Sequence, residues 1–133
     1  MTTTPVEERQ HARLTARQLS KLRARLVLDL EDTRDLISQL VVDLESMRES
    51  RQDVATDDEH DPEGPTLAFE RSQATAVLDD AKAHFSSIEE ALQLVDGEEF
   101  GICLGCGGRI PFARLDARPY TRYCVACAAR AER

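Results

Sequence analysis

The stretch TDDEHDPEGP, residues 56–65, decides the fold. Pro62, Gly64 and Pro65 fall within four positions, and no helix continues through such a run. On either side the chain carries long apolar stripes at helical spacing. Two striped helices joined by a short break bury their stripes by folding back on each other, so the reading is an antiparallel helical hairpin. One arm of an intermolecular coiled coil would have the same stripes, but not so concentrated a break between them.

Working toward the N-terminus, apolar residues recur at Leu19, Leu22, Leu26, Leu30, Ile37, Leu40, Leu44 and Met47, with Thr33 in the one gap. Steps of three and four are the coiled-coil rhythm. No Gly or Pro interrupts from Val6 to Asp61, and Thr4-Pro5-Val6-Glu7 has the form of a capped helix start. Toward the C-terminus, Leu67, Ala74, Leu78, Ala81, Phe85, Ile88, Leu92 and Val95 give a second stripe, so the second helix is expected from about Pro65 to Asp96. Gly97 then stands where a left-handed residue ends a helix. At 1.5 Å per residue the first helix would run roughly 70 Å and the second roughly 48 Å. Leu92 and Val95 should therefore meet the mid-twenties of the first helix. Leu14, Leu19 and Leu22 extend beyond, where the C-terminal module is the available cover.

Composition agrees with helices that each bury a narrow stripe. The 133 residues include six aromatics and no tryptophan, 41% are hydrophobic and 32% charged, and the net charge is −8. Such an acidic balance does not suit a general nucleic-acid binder, which needs basic surface to release counterions. No apolar run approaches a membrane span and no secretory h-region is visible, so a cytoplasmic, non-membrane protein is expected. The charge is unevenly laid out. Residues 29–99 hold five basic and twenty-one acidic side chains, whereas residues 1–28 and 100–133 each hold six basic and two acidic. The extreme is 53–63, with six carboxylates and no Lys or Arg. Such a run is commonly just a solvated loop, and His60 within it reads as a solvated histidine rather than a ligand.

All four cysteines lie in Cys103-Leu-Gly-Cys106 and Cys124-Val-Ala-Cys127. Two CxxC pairs seventeen residues apart are a strong signature of a four-thiolate zinc site, each pair turning both sulfurs toward one ion. Two disulfides fit poorly with a chain lacking a secretion signal, and no βαβ pattern surrounds either pair as a thioredoxin-like site would need. Four thiolates fill the tetrahedron and leave no place for an activated water, so one structural Zn2+ is expected. Gly105, Gly107 and Gly108 give the first pair its tight turn. With few large apolar residues of its own, the module should need the metal to fold, with Phe100, Ile102, Ile110, Phe112, Leu115, Tyr120 and Tyr123 packed around the site and against the first helix. No P-loop, dinucleotide fingerprint or catalytic triad appears, and nothing reads as an enzyme.

The segment EEFGICLGCGGRIPFARLDARPYTRYCVACAARAE, residues 98–132, resembles the zinc finger of the DksA/TraR family of bacterial RNA polymerase-binding proteins. The likeness rests on Phe100-Gly101-x-Cys103-x-x-Cys106-Gly107, on Ile110, on Arg114-Leu115-x-Ala117-x-Pro119 and on the closing CxxC. It implies a mainly α fold in which residues 1–97 form a helical hairpin with an acidic tip at about 55–64. Residues 98–133 would form a C4 zinc finger with a short C-terminal helix. It further implies binding at the polymerase secondary channel, with Asp57, Asp58, Asp61 and Glu63 as the tip that enters it. The family's tip pattern Asp-x-x-Asp-x-Ala has its nearest register at Asp58-x-x-Asp61-x-Glu63, with glutamate in place of alanine. The expected protein is a monomeric transcription regulator without direct sequence-specific DNA contact. The competing readings are a zinc-stabilised helical adaptor for another protein and a small zinc-ribbon DNA binder using the C-terminal arginines. Steep salt dependence of DNA affinity would favour the last, and saturable binding to core polymerase without DNA the first.

Overall fold

The computed structural model describes residues 13–54 and 64–131. Among these the protein is helical, with α1 at Ala16–Val54, α2 at Gly64–Leu94, α3 at Phe112–Ala117 and α4 at Val125–Ala131. Extended pairing among the described residues is confined to one isolated antiparallel bridge between Ile102 and Arg109. No helix among the described residues is long and apolar enough to cross a membrane.

The start of α1 corrects the expectation of one uninterrupted helix from Val6. Residues 13–15 are not helical, and Thr15 opens a capping box with Gln18. The Gln18 amide donates to Thr15 Oγ1 at 3.1 Å, and the Thr15 amide donates to Gln18 Oε1 at 2.9 Å. The reciprocal bonds satisfy two donors that a helix start otherwise leaves unpaired. Leu14, just ahead of the cap, is half-buried against the finger core. The Thr4–Glu7 start falls outside the described residues.

Burial follows the apolar stripes position by position. On α1, Leu22 and Leu26 are fully buried and Thr33 is buried, while Leu19, Leu30, Ile37, Leu40, Leu44 and Met47 are half-buried. On α2, Leu78, Ala81 and Ile88 are buried, and Ala91, outside the expected stripe, joins them, as does Val95 just past the helix end. Residues between the stripe positions face solvent, among them Leu36, Val41, Val42 and Phe69.

Two compact units make up the chain. One combines the described parts of Met1–Leu30 and Ser87–Arg133, and the other is Glu31–Ser86. In the first, Leu26 packs with Ile88 and Ala91, flanked by Leu30, Leu92, Phe100 and Tyr120. Arg23 is ion-paired with Asp96. In this unit, residues further along α1 meet residues earlier in α2, the antiparallel order, and the mid-twenties of α1 face the last turns of α2. In the second unit, the Arg34 guanidinium lies over the Phe85 ring at 5.8 Å, and Leu44 and Thr75 line one shallow groove, the same order.

Leu94 ends α2, where the Gly97 amide donates to the Leu94 carbonyl at 2.8 Å. Gly97 is not left-handed, contrary to the expectation. Positive φ occurs, among the described residues, only at Gly101 and Gly107. The last turn of α2 tightens to an i→i−3 bond, which satisfies a terminal carbonyl without a left-handed residue.

Candidate metal centre

The finger begins with a tight turn. The Gly107 amide donates to the Cys103 carbonyl at 2.9 Å, and the Cys103 amide to the Gly108 carbonyl at 2.8 Å. Gly107 sits at φ +72°, a conformation that side chains with a β-carbon resist. Gly105 is required for a different reason, because a β-carbon there would stand 2.8 Å from Cys127 Sγ. The second pair is placed by α4, with Cys124 just before its first residue and Cys127 on its first turn. The Leu104 amide donates to the Arg122 carbonyl at 2.9 Å and ties the two pairs together.

These turns bring together the sulfurs of Cys103, Cys106, Cys124 and Cys127, all within 4.8 Å of one another. Cys106 Sγ and Cys124 Sγ are 4.0 Å apart. Four thiolates at about 2.3 Å from a tetrahedral zinc ion would stand about 3.8 Å from each other, so the cluster has the dimensions of a zinc site. Amides supply the outer shell, as those of Gly105 and Cys124 each donate to Cys103 Sγ at 3.3 Å. The Arg130 guanidinium lies 3.8 Å from Cys127 Sγ. Donors of this kind offset the negative charge of clustered thiolates. An all-sulfur, closed donor set suits a structural zinc ion, which supplies folding energy and leaves no open coordination position.

Titration within the cluster divides the sulfurs. Burial works against ionising Cys103, but the amides of Cys124, Cys106 and Gly105, with the Cys127 thiol, outweigh it and lower its pKa to about 6. Cys127 is pushed up to about 12 by hydrogen bonding to the Cys124 and Cys103 sulfurs, by burial and by the neighbouring Cys103 charge. Four adjacent thiols cannot all ionise without a cation among them.

The centre is built onto α1. Leu22, Cys103, Ile110, Leu115 and Cys127 form one buried cluster, with Leu14, Phe100, Phe112 and Cys124 against it. Of the three leucines expected to need cover, the module packs against Leu22 on α1 and Leu14 just before it. A polar seam runs alongside, in which Lys21 Nζ pairs with Asp116 at 3.4 Å and lies 5.6 Å from the Phe112 ring centroid. Arg25 donates to the Asp116 carbonyl at 3.3 Å. Arg122 reaches Glu90 on α2 at 3.9 Å, a loose surface pair of small energetic weight. Tyr123 corrects the expected packing set. Its side chain is 40% exposed, while its carbonyl accepts from Arg114 Nε at 3.3 Å and from Thr121 Oγ1 at 3.2 Å. The expected tip residues Asp57, Asp58, Asp61 and Glu63 lie outside the described residues. Neither the space demanded at Gly105 nor the placement of Arg130 was read from the sequence. The three-residue helical step from Cys127 to Arg130 was the available signal for the second.

The prokaryotic dksA/traR C4-type zinc finger model matches residues 98–133, which contain all four cysteines. Residues 98–133 carry a DksA/TraR C4-type zinc finger. An uncharacterized protein of Aquifex aeolicus is 45% identical over 51 residues, covering 38% of this chain and 35% of that protein. The RNA polymerase-binding transcription factor DksA of Escherichia coli K12 is 44% identical over 45 residues, 34% of this chain and 30% of that protein. The aligned stretch thus spans about a third of the length of these relatives. Likeness of fold extends much further than this sequence identity. The structure of transcription factor DksA2 from Pseudomonas aeruginosa superposes with a TM-score of 0.70 at 20% identity, covering 88% of this chain and 84% of that one.

Proposed function

We propose that this protein is a cytoplasmic transcription regulator, not an enzyme, that binds bacterial RNA polymerase directly. The observation that carries the reading is the pairing of a DksA/TraR finger at residues 98–133 with a fold shared over 88% of the chain with DksA2. The curated relatives that the chain matches over part of its length include one named for binding RNA polymerase. In this reading Cys103, Cys106, Cys124 and Cys127 hold one structural Zn2+, and the finger of residues 98–133 anchors a helical hairpin of residues 1–97. The acidic tip at about 55–64 enters the polymerase secondary channel and modulates transcription, with Asp57, Asp58, Asp61 and Glu63 as its contacts. A run of six carboxylates without a Lys or Arg suits a channel that is lined with positive charge or holds a metal ion. The protein acts as a monomer on the polymerase and makes no sequence-specific contact with DNA.

A photo-crosslinker at Asp61, with purified core polymerase and zinc-loaded protein, tests this. Crosslinks to the large subunits beside the secondary channel are expected. Their absence, with zinc bound and helices intact, would hand the lead to the adaptor reading. Charge reversal at Asp58 and Asp61 should abolish the transcriptional effect without changing zinc content.

A further inference from the structure

One surface of the finger, which borders the zinc ligands Cys106 and Cys124, lies outside the cluster packed onto α1. A groove of about 700 Å³ lies beside the zinc cluster, walled by Pro111, Ala113, Ala117 and Val125, with Arg109 and Arg114 in its lining. Val125 is 63% exposed, as is nearby Leu104 at 57%, so apolar surface stands open to water here. Among the described residues neither Arg109 nor Arg114 pairs with a carboxylate. The lining therefore combines apolar walls with cations that lack an acidic partner, in a chain that is acidic overall.

The run whose chemistry complements this groove is on the chain itself. Residues 53–63 hold six carboxylates and no Lys or Arg, and include the small apolar pair Val54-Ala55. We infer that the finger groove docks the acidic segment of a second copy, so that the free protein associates with itself through Arg109 and Arg114 on one chain and Asp57, Asp58 and Asp61 on the other. Two copies of net charge −8 repel at long range, and only the uneven charge layout turns that repulsion into attraction between the basic finger of one and the acidic segment of the other. The association is reversible and sensitive to salt, because exposed ion pairs across such a contact are screened within a Debye length. It draws on the acidic segment invoked for the polymerase but does not depend on polymerase binding.

Sedimentation velocity on the zinc-loaded full chain, without polymerase, is the test. The expected result is a concentration-dependent dimer that weakens roughly tenfold or more between about 50 mM and about 500 mM NaCl. Arg109→Glu should abolish it, and so should Asp58→Lys with Asp61→Lys. Mixing those two variants should restore a dimer, because the carboxylate introduced on one finger would then meet the ammonium groups introduced on the other chain. Arg114 is left unaltered because it also braces the Tyr123 carbonyl, and Val125→Glu serves as a second block of the groove. A chain that stays monomeric at low salt would overturn the inference. So would a dimer indifferent to salt and to all these substitutions, which would belong to the exposed apolar residues of the helices instead. Failure here leaves the crosslinking result at Asp61 untouched, so the two readings fail separately.

Discussion

Gly105 lies so close beneath Cys127 that a β-carbon on it would stand 2.8 Å from the cysteine sulfur and 2.9 Å from its β-carbon. The glycine between the first two cysteines is thus a space requirement of the second pair. Gly105→Ala is expected to weaken zinc affinity on the order of ten- to a hundredfold, the range seen when outer-shell support is disturbed. Competition with a chromophoric chelator measures it. At Gly108 an added β-carbon meets Cys106 Sγ only at 3.4 Å, so Gly108→Ala should change affinity far less.

Zinc uptake should release protons in a pH-dependent way. With Cys103 lowered to about 6 and Cys127 raised to about 12, the metal-free cluster at neutral pH holds an ionised Cys103 and a protonated Cys127. Loading must expel the Cys127 proton, since only thiolates ligate. Below about 6 Cys103 must be deprotonated as well, so affinity falls more steeply with further acidification. Calorimetry in buffers of different ionisation enthalpy should find at least one proton released per zinc at neutral pH, and no release would contradict this division of charge.

Metal removal should unravel the finger selectively. Hydrogen exchange after chelation is expected to show protection lost over residues 98–131 and largely retained over Glu31–Ser86, whose buried residues Thr33, Leu78 and Ala81 are not members of the cluster around the zinc ligands. A finger still fully protected without zinc would mean that its small core suffices.

Leu22→Ala should cost about 2–5 kcal/mol, the usual range for emptying a fully buried leucine site. Because Leu22 shares a cluster with Cys103 and Cys127, zinc affinity should drop with it. Leu36→Ala, at a side chain 49% exposed, should stay within about 0.5 kcal/mol in the same denaturant titration.

Thr15→Ala should remove about 1 kcal/mol of helix support and raise exchange over the first turn of α1, with the rest of the helix unaffected. The measurement is amide exchange at residues 16–19.

Much of this architecture was legible because period and burial coincide. Every α1 stripe position from Leu19 to Met47, Thr33 included, is buried or half-buried, and the two CxxC pairs announced the sulfur cluster. What escaped was local competition. Thr4-Pro5 and Thr15-Gln18 both have the form of a helix start, and periodicity offers no means of choosing between them. Gly97 has the residue type of a left-handed cap, yet a tightened last turn met the same need. Tyr123 looks apolar in composition but follows Thr121 and Arg122 in a turn whose backbone, rather than its ring, makes the contacts. The proximity of Gly105 to Cys127 spans twenty-two positions and depends on how α4 enters the site, which no local pattern encodes.

Leu22 and Cys127 occupy one cluster while lying more than a hundred positions apart, and that separation sets an order of events during synthesis. The ribosome delivers the α1 leucines first and their finger cover about a hundred residues later, so Leu22 waits for Cys103 and Cys127 to emerge. The Glu31–Ser86 unit can complete its own contacts long before then. Zinc capture is in this sense the step that closes the Leu22 cluster, and a nascent or truncated chain ending before Cys124 would carry an uncovered apolar patch that quality-control machinery could recognise.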